Sequence, residues 1–206
     1  GARDPALRDG GLARRQRNQP RYAFAAGNHP EPACRRPGRH AGQAVQGSGA
    51  IGIGYQAGYD NQGSYAIAIG KNAGYTAQTS DAIAIGQEAG SDSQGNYAIA
   101  IGNQSGFLEQ GNFAIAIGIA AGNSTQGANA IAIGNQAGSN LQGANSIAIG
   151  SFAGSNNQHD STIILNATGS NLPSQQSGSF YVAPIRTAVG TGAVLYYNST
   201  TKAYLQ

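Results

Sequence analysis

A period of sixteen residues runs through most of this chain without one insertion, and it limits the possible folds more than any other feature. Each period contains a glycine, a second glycine four residues later, and a glutamine four residues after that. The first glycine recurs at Gly38, Gly54, Gly70, Gly86, Gly102, Gly118, Gly134 and Gly150. Repetition in fixed phase is typical of solenoids, in which each repeat contacts only its neighbours. A unit this short has no room for a helix pair or a propeller blade.

A pair of large aliphatic residues sets the boundaries of the repeats. The pair first occurs at Ile51 and last at Ile163, and one period before its first copy the same positions hold Arg35 and Pro37. The sequence therefore predicts three parts. They are an Arg- and Pro-rich, poorly ordered segment at 1–37, a repeat block at 38–165, and a non-repetitive, β-rich cap or neck at 166–206.

The charge of the chain is concentrated in its first segment. Nine of the twelve lysines and arginines lie within residues 1–40, so the net charge of +3 does not describe the repeats. These arginines have no interleaved aromatic residues, and we expect a solvated tail and no nucleic-acid partner. Cys34 is the only cysteine; we interpret it as a free thiol, with a disulfide between chains as the alternative. No apolar stretch is long enough to span a bilayer, so we expect no membrane insertion in this segment.

Within each period, the phrase Ala-Ile-Ala-Ile alternates with period two, which indicates a β-strand. Glycines mark positions where the backbone turns or approaches another segment closely. The simplest geometry is one coil of a parallel β-solenoid, or β-roll, with about eight coils stacked roughly 4.8 Å apart into a rod of roughly 40 Å. The turn glycines of the central coils are Gly70, Gly74, Gly86, Gly90, Gly102 and Gly106.

The two sides of this strand carry different residues, because successive side chains point to opposite faces. We predict that the isoleucines fill the coil interior as its structural core: Ile67, Ile69, Ile83, Ile85, Ile99, Ile101, Ile115, Ile117, Ile131, Ile133, Ile147 and Ile149. The alanines then form a flat, apolar outer stripe, which predicts packing against sister chains. This predicted subunit interface comprises Ala66, Ala68, Ala82, Ala84, Ala98, Ala100, Ala114, Ala116, Ala130 and Ala132.

Two further sets of residues recur in phase. Stacked glutamines form amide ladders in other repetitive folds, and this predicts such a ladder at Gln62, Gln78, Gln94, Gln110, Gln126 and Gln142. Aromatic residues stand just before the strand or just after the second glycine in the earlier coils. They fill grooves between subunits or, as the alternative, stack on sugars; these candidate glycan contacts are Tyr59, Tyr65, Tyr75, Tyr97, Phe107 and Phe113.

The polar residues do not predict an enzyme. Asp60 and Asp92 share a phase but lie two coils apart, about 10 Å by the strand spacing, which is marginal for a glycosidase pair and has no third partner. The three histidines are far apart in the sequence, and no His, Cys and Asp cluster has the spacing of metal ligands. The glycines are not followed by the Lys-Ser/Thr ending of a phosphate-binding loop. We expect no catalytic residue, no metal and no cofactor.

The phrase Ala-Ile-Ala-Ile-Gly-x-x-Ala-Gly resembles the head repeats of trimeric autotransporter adhesins, the YadA-like heads. The sixteen-residue period, with its Gln-Gly turn, is similar to the fibre proteins of phages and large DNA viruses. The segment "SGSFYVAPIRTAVGTGAVLYYNSTTKAYLQ" resembles the stretch that follows such repeats in tail-fibre-like proteins. The resemblance covers about 38–206 and implies an obligate homotrimer of left-handed β-rolls.

Two functions follow as expectations. The first is a structural fibre segment of an extracellular, homotrimeric appendage on a virion or cell, involved in host attachment. The alternative is the head of a bacterial trimeric autotransporter, in which the rod surface itself binds a cell-surface glycan or another host receptor.

Overall fold

The computed structural model describes residues 38–184 and the backbone of two short strands near the C-terminus. The strands are β1 (Ile51–Ile53), β2 (Ile67–Ile69), β3 (Ile83–Ile85), β4 (Asp92–Gln94), β5 (Ile99–Ile101), β6 (Leu108–Gln110), β7 (Ile115–Ile117), β8 (Ile131–Ile133), β9 (Asn140–Gln142), β10 (Ile147–Ile149), β11 (Asn156–Gln158), β12 (Ile163–Asn166), β13 (Phe180–Ala183), β14 (Tyr196–Asn198) and β15 (Ala203–Leu205). The predicted segment 1–37 lies outside the described residues.

The main sheet is parallel and has nine strands in the order β1-β2-β3-β5-β7-β8-β10-β12-β13. From β1 to β12 each residue pairs with the one sixteen positions away, as Ile83 does with Ile99. The glutamine segments form a second parallel ladder through β4–β6, β9–β11 and the bridges between them. The described residues contain strands and turns but no helix. The prediction of an all-β parallel β-solenoid of about eight coils is confirmed.

Alanine, and not isoleucine, fills the interior of the coil. In the coil that contains β2, the side chains of Ala66, Ala68 and Ala73 are completely buried, whereas those of Ile67 and Ile69 are partly exposed. The core prediction is therefore wrong for Ile67, Ile69, Ile83, Ile85, Ile99, Ile101, Ile115, Ile117, Ile131, Ile133, Ile147 and Ile149. The outward orientation predicted for the alanines is wrong for Ala66, Ala68, Ala82, Ala84, Ala98, Ala100, Ala114, Ala116, Ala130 and Ala132, each of which is 0% exposed.

The remaining interior position belongs to glutamine, and its amide explains why the neighbours are small. Gln94 Nε2 donates to the carbonyl oxygens of Ile83 at 2.8 Å and Ala98 at 3.2 Å, and to Gln110 Oε1 at 3.1 Å. The same glutamine-to-glutamine bond joins consecutive coils along the column Gln62, Gln78, Gln94, Gln110, Gln126 and Gln142. The predicted amide ladder is thus present. Each glutamine side chain crosses the coil interior from the glutamine ladder to carbonyl oxygens of the main sheet. The interior therefore has room for methyl groups only.

Two glycine columns are required by close approach as well as by backbone angle. Gly102 has φ +129°, and a Cβ there would lie 2.5 Å from the carbonyl oxygen of Gly118 in the next coil. Gly106 has φ +50°, and a Cβ there would lie 2.8 Å from Gln110 Oε1. The other turn glycines predicted from the sequence, Gly70, Gly74, Gly86 and Gly90, also have positive φ.

The repeat changes in its last coils. Ile164 takes the place of an interior alanine and is completely buried, and Thr162 takes the place of another. Gln158 Nε2 donates to Ile147 O, Thr162 O and Thr162 Oγ1, while its buried Oε1 has no donor among the described residues. β13 then adds to β12 with a spacing of seventeen residues, Ile163 to Phe180. The parallel sheet therefore continues beyond residue 165, and β14 and β15 pair antiparallel.

Candidate functional site

The most distinctive surface of the rod is a stripe of large aliphatic side chains, which we call the isoleucine face. It consists of the outward residues of the main sheet, two per strand from β1 to β12. Ile101, Ile117 and Ile149 are 36%, 36% and 40% exposed, although they lie in the middle of a regular sheet. Soluble monomers rarely expose a contiguous apolar surface that spans a whole sheet, and such surfaces mark interaction sites.

The predicted subunit interface on the alanine columns is wrong, because these alanines lie inside the coil. A completely buried alanine such as Ala100 has no surface with which to contact another chain. The backbone of β5 presents Ile99 and Ile101 instead, because side chains alternate across a strand. The apolar stripe that sequence reasoning placed on the alanines therefore exists, but on the opposite side of the same strands.

Two columns border the isoleucine face. The leading edge consists of the residues two positions before the first isoleucine of β2, β3, β5 and β7: Tyr65, Asp81, Tyr97 and Phe113. The trailing edge consists of the residues two positions after the second isoleucine of β1, β2, β3, β5 and β7: Tyr55, Lys71, Gln87, Asn103 and Ile119. The leading-edge residues have φ between 58° and 60°, so the backbone turns sharply there. Sequence analysis overlooked the trailing edge, although its position relative to each isoleucine pair was readable from the period.

The aromatic residues stack on one another along the rod. Tyr97 and Phe113 on the leading edge have ring centroids 5.2 Å apart and planes 6° apart. Tyr59 and Tyr75 directly follow the second glycine of their repeats, and their ring centroids are 5.0 Å apart with planes 15° apart. Each ring in a pair covers one face of its neighbour, so a ligand has fewer free ring faces than the number of aromatic residues suggests. Phe107 is half-buried and Tyr65 is 65% exposed.

A shallow depression of about 530 Å³ lies next to the leading edge. Its lining includes Ser64, Ser80 and Asn96, which directly precede Tyr65, Asp81 and Tyr97 in the chain, and also the backbone of Gly63. The depression is open to solvent, has both polar and apolar lining, and no titratable side chain lines it. It has the character of a groove beside a contact surface rather than that of an enclosed ligand cavity.

The acidic residues are dispersed over the rod. Asp92 accepts hydrogen bonds from Thr76 Oγ1 at 2.9 Å and from Ser93 Oγ at 3.2 Å, and Asp60 belongs to the same column two coils away. Within residues 38–184, no three His, Cys, Asp or Glu side chains lie close enough together to hold a metal ion. The part of the chain that the structure describes also contains no helix that is long and apolar enough to cross a membrane.

Neither a scan against protein-family models nor searches of curated proteins and of solved structures found a match to this chain. What this surface does must therefore be argued from its own geometry.

Proposed function

We propose that the chain is a structural segment of a homotrimeric fibre, in an extracellular appendage of a virion or cell that takes part in host attachment. The observation that carries the proposal is the isoleucine face. In this sheet the large apolar side chains point outward and the small ones point inward. Its main apolar contact is therefore expected to be with another chain. Full burial of an exposed isoleucine side chain stabilises by about 1.5–3 kcal/mol. These side chains are already partly buried, so each gains only a part of that value, and the driving force comes from the number of them in two whole columns.

A second copy of this chain is the partner that fits the face best. The face repeats every coil with the same pair of side chains, as in Ile99↔Ile115 and Ile115↔Ile131. A covering surface therefore needs the same repeat distance and an apolar character over the same length. Sister chains provide both, and rotation about an axis parallel to the rod covers every face in a closed assembly.

The number three rests on the resemblance of the repeats to trimeric β-roll heads and fibres. Three faces directed at one axis leave no isoleucine column open at either side. The outer sides of the coils, with Asp92, Glu109 and Asn156, remain exposed and polar, which is appropriate for a fibre surrounded by water.

Sedimentation of the full chain at micromolar concentration tests the proposal. We expect a species with three times the 20.8 kDa chain mass and none of chain mass. In a variant with Ile99, Ile101, Ile115 and Ile117 all changed to threonine, we expect trimer to be lost, because threonine keeps the strand preference but not the apolar surface. The matched control changes the same four residues to valine and keeps the trimer. A stable folded monomer of the unmodified chain would overturn the proposal.

The alternative of a glycan-binding adhesin head has one observation in its favour. Tyr59 and Tyr75 are partly exposed and lie away from the isoleucine face, so assembly through that face leaves them accessible. Aromatic rings of this kind stack on the apolar faces of sugars. Binding of the purified assembly to a glycan array, and loss of binding when both tyrosines are changed to serine without a change in assembly mass, would support this alternative. Unchanged binding would reject it.

A further inference from the structure

The leading edge carries an acid whose side chain has no partner within the described part of the chain. The side chain of Asp81 is exposed and has no hydrogen bond or ion pair with any described residue. It stands between two aromatic residues of the same column, Tyr65 one coil before it and Tyr97 one coil after it, which are 65% and 55% exposed. A carboxylate beside exposed aromatic rings is a setting that recognises a cation, because the ring faces and the charge attract it together.

The trailing edge carries a cation that is equally unpaired. Lys71 and Arg39 are the only Lys or Arg side chains within residues 38–184, and Lys71 is exposed with no ion pair among the described residues. In the next coil, Glu88 directly follows the trailing-edge residue Gln87, and its backbone N–H donates to Lys71 O. The Glu88 carboxylate is already bound by Gln104 Nε2 at 2.9 Å and lies near Gln87 Nε2 at 3.5 Å.

Assembly through the isoleucine face brings these two edges together. In any closed arrangement of parallel rods around one axis, the leading edge of each chain meets the trailing edge of its neighbour. In an antiparallel arrangement, a leading edge instead meets another leading edge. The unlike edges therefore become neighbours only in the parallel, cyclic assembly.

The heights of the residues along the rod also match. Rotation about an assembly axis parallel to the rods introduces no axial shift between chains. A residue of one chain therefore meets residues at its own height in the next chain. With about 4.8 Å of rise per sixteen residues, Lys71 lies about 2 Å above Tyr65 and about 3 Å below Asp81. The same rise places Ile119 about 2 Å above Phe113. In the parallel assembly, Ile119 of one chain therefore meets Phe113 of the next, and both side chains are apolar and exposed.

We infer that Lys71 of each chain binds between Tyr65 and Asp81 of the neighbouring chain, with its ammonium group paired to the Asp81 carboxylate and lying against the Tyr65 ring. This contact deepens the proposed function and rests on it. It favours the parallel assembly specifically, because antiparallel rods would place two leading edges side by side and leave Asp81 without a cation.

Zero-length cross-linking of the full chain with a carbodiimide tests the contact, because this reagent joins an amine to a carboxylate only when the two already touch. We expect covalent dimers and trimers on a denaturing gel, and a Lys71–Asp81 linked peptide in the digest by mass spectrometry. The linked peptide is lost in Lys71→Gln and Asp81→Asn and retained in the control Glu109→Gln. It is reduced in Tyr65→Leu and recovered in Tyr65→Phe, which keeps the ring.

Sedimentation of the same samples separates two failures. If the chain is a trimer and Lys71 links to Glu88 of its own chain or to nothing, this contact is wrong and the fibre assembly stands. If the chain sediments as a folded monomer, both the contact and the proposed function are overturned. A linked Lys71–Asp81 peptide that persists in a sample containing only monomers would also contradict an intermolecular contact.

Discussion

The interior of the coil and the isoleucine face use apolar residues in opposite ways. Around Gln94 the interior holds Ala84, Ala89 and Ala98, all 0% exposed, together with the buried amide. The face holds two large aliphatic side chains per strand that stay partly exposed. This coil is therefore held together by hydrogen bonds around a small core, while its large apolar residues lie on the surface, where the proposed assembly would cover them.

The largest effect is expected from Gln94→Leu, which removes one amide from the ladder. The change takes one donor from each of Ile83 O, Ala98 O and Gln110 Oε1, and removes one acceptor from Gln78 Nε2. With about 1–3 kcal/mol for each unsatisfied buried group, we expect a loss of about 2–6 kcal/mol in the free energy of unfolding. Chemical denaturation at fixed chain concentration measures it. The control Gln87→Leu, at an exposed position, changes stability little; equal losses in both variants would refute a structural ladder.

A second test compares neighbouring residues of one strand. Ala100→Leu inserts three carbons into an interior already filled by Gln110 and the neighbouring alanines, and we expect a loss of about 1–3 kcal/mol or more. Ile101→Leu keeps the volume of an outward side chain and should change the free energy of unfolding by less than about 1.5 kcal/mol. Thermal unfolding monitored by circular dichroism distinguishes them. The reverse ranking would mean that isoleucine, and not alanine, forms the core.

The smallest expected effect concerns the corner between the two regions. Ala120 has φ 52°, a left-handed conformation that strains a residue with a Cβ by roughly 1–2 kcal/mol. Ala120→Gly relieves this strain and loses part of the gain to the entropy of the unfolded chain, so we expect stabilisation of about 0.5–1 kcal/mol. The adjacent Ala121 is buried and does not have positive φ, and Ala121→Gly should destabilise by a similar amount. A destabilised Ala120→Gly would contradict the assigned backbone.

Much of the architecture was predictable from the sequence. The period of sixteen fixed the strand positions, the pairing of Ile83 with Ile99 and the stacking of glutamines, because identical layers must meet identical layers. The glycines at 102 and 106 were predictable as turn residues for the same reason. None of these predictions required knowledge of which side of the strand is inside.

The prediction of which side of the strand faces the interior was wrong. Alternation with period two separates the two sides of a strand, but it does not say which one is interior, and large aliphatic residues are usually inside. The deciding residue was the glutamine. Once Gln110 crosses the coil, its amide fills the space beside Ala100 and leaves no room for isoleucine. The glycine that recurs at this position in every repeat, Gly106 in this coil, carried that information, since any Cβ there would lie 2.8 Å from Gln110 Oε1.

The parallel ladder also determines how the rod responds to force. Hydrogen bonds between neighbouring strands point along the stacking direction, which is the long axis of the rod. A pull between the two ends of the repeat block therefore stretches these bonds directly, and it acts on the bonds of one coil boundary at a time. A single rod would peel open from one end, coil by coil. In the proposed fibre, lateral contact with sister chains would place each boundary beside intact coils of its neighbours, so that mechanical strength would come from the width of the fibre and not from the strands themselves.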